Sequence, residues 1–88
     1  MKRDNDQDRS PLWKARRERL GRRIRSLRLE RGLSQEALGL ECGLSRNMLI
    51  GVEWGKRGLM YERLEDIADA LGVTIQDLIT AEDPASTE

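Results

Sequence analysis

Residues 35–54, QEALGLECGLSRNMLIGVEW, decide how the chain is read. Gly39 supplies a small residue where two helices would cross closely, and Gly43, four positions on, accepts the positive φ of a tight turn. Leu38, Cys42, Leu44, Leu49 and Val52 fall where both helices can turn apolar side chains toward one core. Seven positions therefore agree with a helix-turn-helix, whose second helix keeps its outer face clear of the core. An ordinary helical hairpin with a solvated outer face asks for fewer of these matches.

Outward from this stretch, Ser34 is placed to cap the first of the two helices, with Leu33 ahead of it as a hydrophobic staple against Leu38. That helix ends at Cys42. Ser45 caps the second, predicted from Arg46 to about Trp54 and stopped by Gly55. After the polar connection Lys56-Arg57-Gly58, Leu64, Ile67, Ala68 and Leu71 predict a helix over roughly Met60 to Leu71. Thr74 then caps a short helix through Ile79.

Upstream, Trp13, Leu20, Ile24, Leu27 and Arg31 recur at steps of three, four and seven, which predicts a first helix over about Leu12 to Arg31. Ser10-Pro11 is its expected start and Gly32 its stop. Gly21 interrupts the stripe and marks the turns before it as a separate or frayed piece. No strand-like alternation occurs. The expectation is an all-α, five-helix domain over residues 12–80, between a disordered arm (1–11) and a flexible acidic tail (81–88).

Composition sets the bounds. The chain has 88 residues, enough for one small domain, with 38% hydrophobic and 36% charged residues. No apolar run is long enough to span a bilayer, and the first ten residues lack the apolar centre of a secretory signal. The single Cys42 cannot form a disulfide within the chain and suits a reducing cytoplasm; on the apolar face of its helix it reads as a core residue. With no histidine there is no Ser-His or Cys-His nucleophile pair and no zinc site of the usual kind, and no phosphate-cradling glycine loop occurs. The expectation is no enzyme, no metal, no cofactor and no small-molecule ligand.

The formal net charge is zero, yet its distribution is polarised. From Lys14 to Arg31, nine basic residues (Lys14, Arg16, Arg17, Arg19, Arg22, Arg23, Arg25, Arg28, Arg31) face only Glu18 and Glu30. From Leu59 to the end, eight acidic residues face only Arg63. A local basic surface attracts phosphates whatever the global sum, because salt screens charges beyond about 8–10 Å.

Helical arithmetic sorts the second helix of the motif. Leu49 and Val52 point inward, Met48 partly so, and Ser45, Arg46, Asn47, Ile50, Gly51 and Trp54 are left at the helix start and on the exposed side. Arginine pairs with guanine O6 and N7, asparagine with adenine N6 and N7, and an isoleucine can touch a thymine methyl. Arg46 and Asn47 therefore predict a helix that reads double-stranded DNA in the major groove. One such unit covers a half-site, so a homodimer is expected, with Ile75, Leu78, Ile79 and Val73 as candidate interface residues.

LRLERGLSQEALGLECGLSRNMLIGVEWGKRG followed by LEDIADALGVTIQDLI resembles the Cro/phage-repressor (XRE) type of helix-turn-helix domain, over about Leu20 to Ile79. The resemblance implies a five-helix lambda-repressor-like fold and transcriptional regulation at palindromic operators. It implies a phosphate clamp and brace at Gln35, a phosphate or base contact at Ser45, and base reading by Arg46 and Asn47. It also implies a further reading position at Gly51, which has no side chain to read with. Arg28 and Glu53 match a buried ion pair, and Lys56 and Arg57 a loop contacting backbone phosphates. Trp54 departs from the pattern, standing where a polar or small residue usually reaches phosphate. Gly58 and Leu59 replace a common proline. The small stand-alone size is similar to restriction–modification controller proteins and small phage regulators. The alternative is the antitoxin half of a toxin–antitoxin pair, which shares this fold.

Overall fold

The turn at residues 43–45 shows why the central motif folds as it does. Gly43 has φ +77° and its N–H donates to the Gly39 carbonyl at 2.8 Å. A Cβ on Gly39 would lie 2.4 Å from the Leu44 carbonyl oxygen, so any larger residue there would push the turn open. On either side, the Ser34 hydroxyl oxygen accepts from the Ala37 N–H at 3.0 Å, and that of Ser45 from the Met48 N–H at 3.1 Å. Each cap satisfies one N–H that the first helical turn leaves without a partner.

The computed structural model describes residues 2–80, with side chains from Ser10 onward. It contains α1 (Lys2–Glu30), α2 (Gln35–Cys42), α3 (Arg46–Glu53), α4 (Tyr61–Leu71) and α5 (Ile75–Thr80), and no strand among the described residues. α3 lies against α1 and α2, α4 covers α2, and α5 closes the assembly against α1 and α4. The core is built from Ile24 and Leu27 of α1, Leu38 and Cys42 of α2, Leu44 of the turn, Leu49 and Val52 of α3, and Ile67, Ala68, Leu71 and Leu78 beyond. Every position of the motif assigned inward is buried. Burial pushes the Cys42 thiol above its ordinary pKa, so it stays protonated in the core.

The first helix differs from the expectation. It begins at Lys2 rather than near Leu12, and so takes in most of the stretch read as a disordered arm. Nothing between Lys2 and Ser10 is a glycine or a β-branched residue, and Pro11 is carried inside the helix at the loss of the one bond its nitrogen cannot donate. The acidic tail lies outside the described residues.

Gly21 does not break α1. A Cβ there would sit 2.3 Å from the Val52 carbonyl oxygen and 2.5 Å from that of Glu53. The glycine is the point at which α1 crosses the last turn of α3, in backbone contact.

The remaining helices begin close to their expected positions. Met60, the cap of α4, makes no side-chain bond to the helix. At α5 the Thr74 Oγ1 accepts from the Asp77 N–H and an Asp77 carboxylate oxygen accepts from the Thr74 N–H, both at 3.1 Å. This reciprocal pair holds the Asp77 carboxyl below its usual pKa.

Candidate nucleic-acid interface

α3 is fixed on its inner side and open on its outer side. Leu49 and Val52 are buried and Met48 and Ile50 half-buried, whereas Ser45, Arg46 and Asn47 are exposed. The Arg46 and Asn47 side chains therefore leave a capped helix start into solvent, where a recognition helix meets base edges.

The other end of α3 is tied down by charge. Arg28 and Glu53 are 7% and 6% exposed, and they form a two-pronged pair: Arg28 Nε to Glu53 Oε2 at 2.7 Å, Nη2 to Oε1 at 2.9 Å. The guanidinium also donates to the Leu33 carbonyl at 2.8 Å, which secures the entry into α2. The bond to Glu53 raises the Arg28 pKa. Gln35 joins the same group, its Nε2 donating to Glu53 Oε1 at 3.1 Å. Expected as a phosphate clamp and brace, Gln35 gives one amide N–H to the buried pair, and the amide carries a second. Its position at the first turn of α2 leaves it beside the same open cleft as Arg46 and Trp54.

Two positions read as departures gain a structural account. Gly51 has no side chain, but the Arg57 stem lies across it: a Cβ at Gly51 would meet Arg57 Cδ at 3.0 Å and Cγ at 3.1 Å. The loop arginine is thereby laid on α3, while Lys56 beside it is exposed. Trp54 is the C-cap of α3 and is 68% exposed, so its ring is not part of the core.

The candidate dimer residues divide. Leu78 is 1% exposed and packs inside the chain, so it cannot serve an interface without opening the core. Ile75 and Val73 are half-buried against the same core. Ile79 is 46% exposed and is the one of the four that presents an open apolar side chain.

Two arginines join this surface that the sequence pattern does not single out. Arg22 and Arg25 line the cleft that holds Arg46, Gln35 and Trp54. Their spacing within the arginine-rich run was visible, but which arginines face α3 follows only from the crossing at Gly21.

A short capped helix, rigidly seated by α1 and presenting arginine and asparagine outward, defines a helix-turn-helix DNA-binding domain. Residues 24–78 match the Helix-turn-helix family HTH_3, and the chain belongs to that family of DNA-binding transcriptional regulators of bacteria and phages. It is 38% identical over 60 residues to Control protein C.BamHI of Bacillus amyloliquefaciens, covering 67% of this chain and 74% of that one. To Control protein C.MunI of Mycoplasma sp it is 35% identical over 63 residues, 70% of this chain and 85% of the relative. The crystal structure of the restriction-modification controller protein C.AhdI from Aeromonas hydrophila superposes with a TM-score of 0.72 at 37% identity, over 74% of this chain and 94% of that one. No helix among the described residues is long and apolar enough to cross a membrane.

Proposed function

We propose that this regulator binds a palindromic operator as a homodimer, with α3 of each copy in the major groove and Arg46 and Asn47 reading base edges. The observation that carries the reading is the exposed Arg46-Asn47 pair at the capped start of a helix whose far end is locked by the Arg28–Glu53 pair. Each bidentate base contact contributes about 1–3 kcal/mol of discrimination. Gln35, Ser45, Trp54, Lys56 and Arg57 surround this pair as contacts to the sugar-phosphate backbone, and Ile50 meets a thymine methyl. The likeness to two control proteins and to a restriction-modification controller supports a role of the controller type, in which the operator governs a restriction–modification gene set in the bacterial cytoplasm.

A pair of substitutions tests the division of labour. Arg46→Ala relaxes base preference at one position in each half-site. Lys56→Ala weakens all sequences alike and lowers the salt slope of binding by about one per subunit, the share of a single phosphate that the lysine no longer neutralises. Unchanged binding in both variants rules out α3 and its loop as the DNA-contacting surface.

A further inference from the structure

The nine basic residues between Lys14 and Arg31 are not one uniform patch, because the fold uses several of them internally. Arg28 is buried on Glu53. Arg17 Nε donates to the Gly55 carbonyl at 3.4 Å, Arg23 Nε to the Asp77 carbonyl at 3.1 Å, and the Arg31 guanidinium to the Ala70 carbonyl. These four tie the α1 segment to α3, to the α3–α4 loop, to α5 and to the end of α4.

The others separate by face. Steps of three and four join Lys14, Glu18, Arg22 and Arg25 along one side of α1. Glu18, Arg22 and Arg25 line the cleft that also holds Arg46 of α3 and Trp54 at its end. Lys14 lies one turn further out and pairs with Glu18 at 3.7 Å, both side chains well exposed. Arg16 and Arg19 are exposed on other sides of the helix, away from that row. The row begins before the stretch that matches the family, which starts at residue 24.

We propose that Arg22 and Arg25 are a second set of DNA contacts, gripping sugar-phosphate backbone that flanks the bases read by α3. This rests on the reading of α3 as the recognition helix and extends it to α1. The occupant is fixed by charge and continuity. Arg28 and Glu53 cancel one another within the cleft, which leaves Arg22, Arg25 and Arg46 against Glu18 and Glu36. Lys14 in turn draws on Glu18. The lining thus carries one net positive charge, with Lys14 a second on its rim, and it opens on the same surface as Arg46; a polyanion is the partner that such a surface favours. Arg22 also has a contact of its own within the chain, so Arg25, exposed at the cleft wall, serves as the cleaner probe.

The test measures binding of the full chain to a mixed-sequence DNA duplex across a salt series. Three variants are compared with wild type: Arg22→Gln with Arg25→Gln, Arg25→Gln alone, and Arg16→Gln with Arg19→Gln. Each phosphate contact contributes about 0.9 to the salt slope, so the cleft pair is expected to lower it by nearly two per subunit and Arg25→Gln by about one. The Arg16 and Arg19 pair, with the same loss of charge, is expected to leave the slope near wild type. Phosphate-ethylation interference on wild-type protein and a selected operator needs no variant, and is expected to show phosphates outside the bases that depend on Arg46 whose ethylation blocks binding. Equal slope changes in the two charge-matched pairs, or no change with Arg25→Gln, overturn the proposal. A wild-type protein that binds no duplex overturns the recognition-helix reading as well. Binding that depends on Arg46 but not on the cleft arginines overturns the α1 contact alone.

Discussion

The two ends of α3 are built by different means. At its start, the helix uses its own residues: Ser45 caps the backbone, and Arg46 and Asn47 stand exposed. At its finish, the functional groups come from elsewhere. Glu53 is neutralised by Arg28 from α1 and bonded by Gln35 from α2, and the bare position at Gly51 is covered by the stem of Arg57 from the loop. The start can therefore vary with little effect on the fold, whereas the finish is bound into it. Positions 46 and 47 are thus open to substitution, while positions 28, 35 and 53 hold the helix in place.

The largest expected effect comes from the finish. Glu53→Gln leaves Arg28 charged and buried without its counterion, and is expected to cost about 3–5 kcal/mol in a urea titration. Arg46→Ala in the same titration should stay near wild type, because that side chain is exposed. Equal losses in the two would erase the contrast between the ends.

Ser45→Ala removes the start's own cap and is expected to lower stability by about 1 kcal/mol. A smaller and oppositely signed effect is expected at Gly51. Gly51→Ala improves helix propensity, with a gain of about 0.5–1 kcal/mol once the exposed Arg57 stem shifts aside. DNA affinity should fall at the same time, by an amount no larger than that of Arg57→Ala. In the double variant the two losses should overlap rather than add, as residues in contact do. Additive losses would mean that Gly51 does not position Arg57.

The smallest expected effect lies away from α3, at Asp77. Its carboxyl is held low by the Thr74 bonds, so the pair contributes stability above the ordinary carboxylate pKa of about 3.9 and loses it as pH falls through the lower folded value. The difference in urea midpoint between wild type and Asp77→Ala is thus expected at pH 7 and should narrow below pH ~4. A difference that is the same at both pH values would contradict this.

The helix-turn-helix was legible in the sequence because its demands are local. The Gly39 clearance, the Gly43 conformation and the two serine caps are settled within a few residues of chain. The Arg28–Glu53 pair was reached only through the family resemblance. α1 resists a sequence reading where its meaning depends on distant partners. Gly21 looks like a weak point in a helical stripe until α3 is laid against it, and the arginines of α1 look alike until the crossing sorts them into internal ties and cleft walls. In α5, Ile75, Leu78 and Ile79 are all apolar, and a helix of six residues is too short for periodicity to say which one is inside. Burial of Leu78 moved that residue from the dimer surface to the core.

Base reading by α3 is tested most directly by selecting bound duplexes from a random DNA pool with wild-type protein and with Asn47→Ala. A homodimer reading bases from α3 is expected to select an inverted repeat whose half-sites lie about 10–10.5 base pairs apart or a multiple of that spacing, with the preference at one base pair of each half-site relaxed in the variant. A pool with no enriched repeat, or an identical repeat from both proteins at every position, would contradict it.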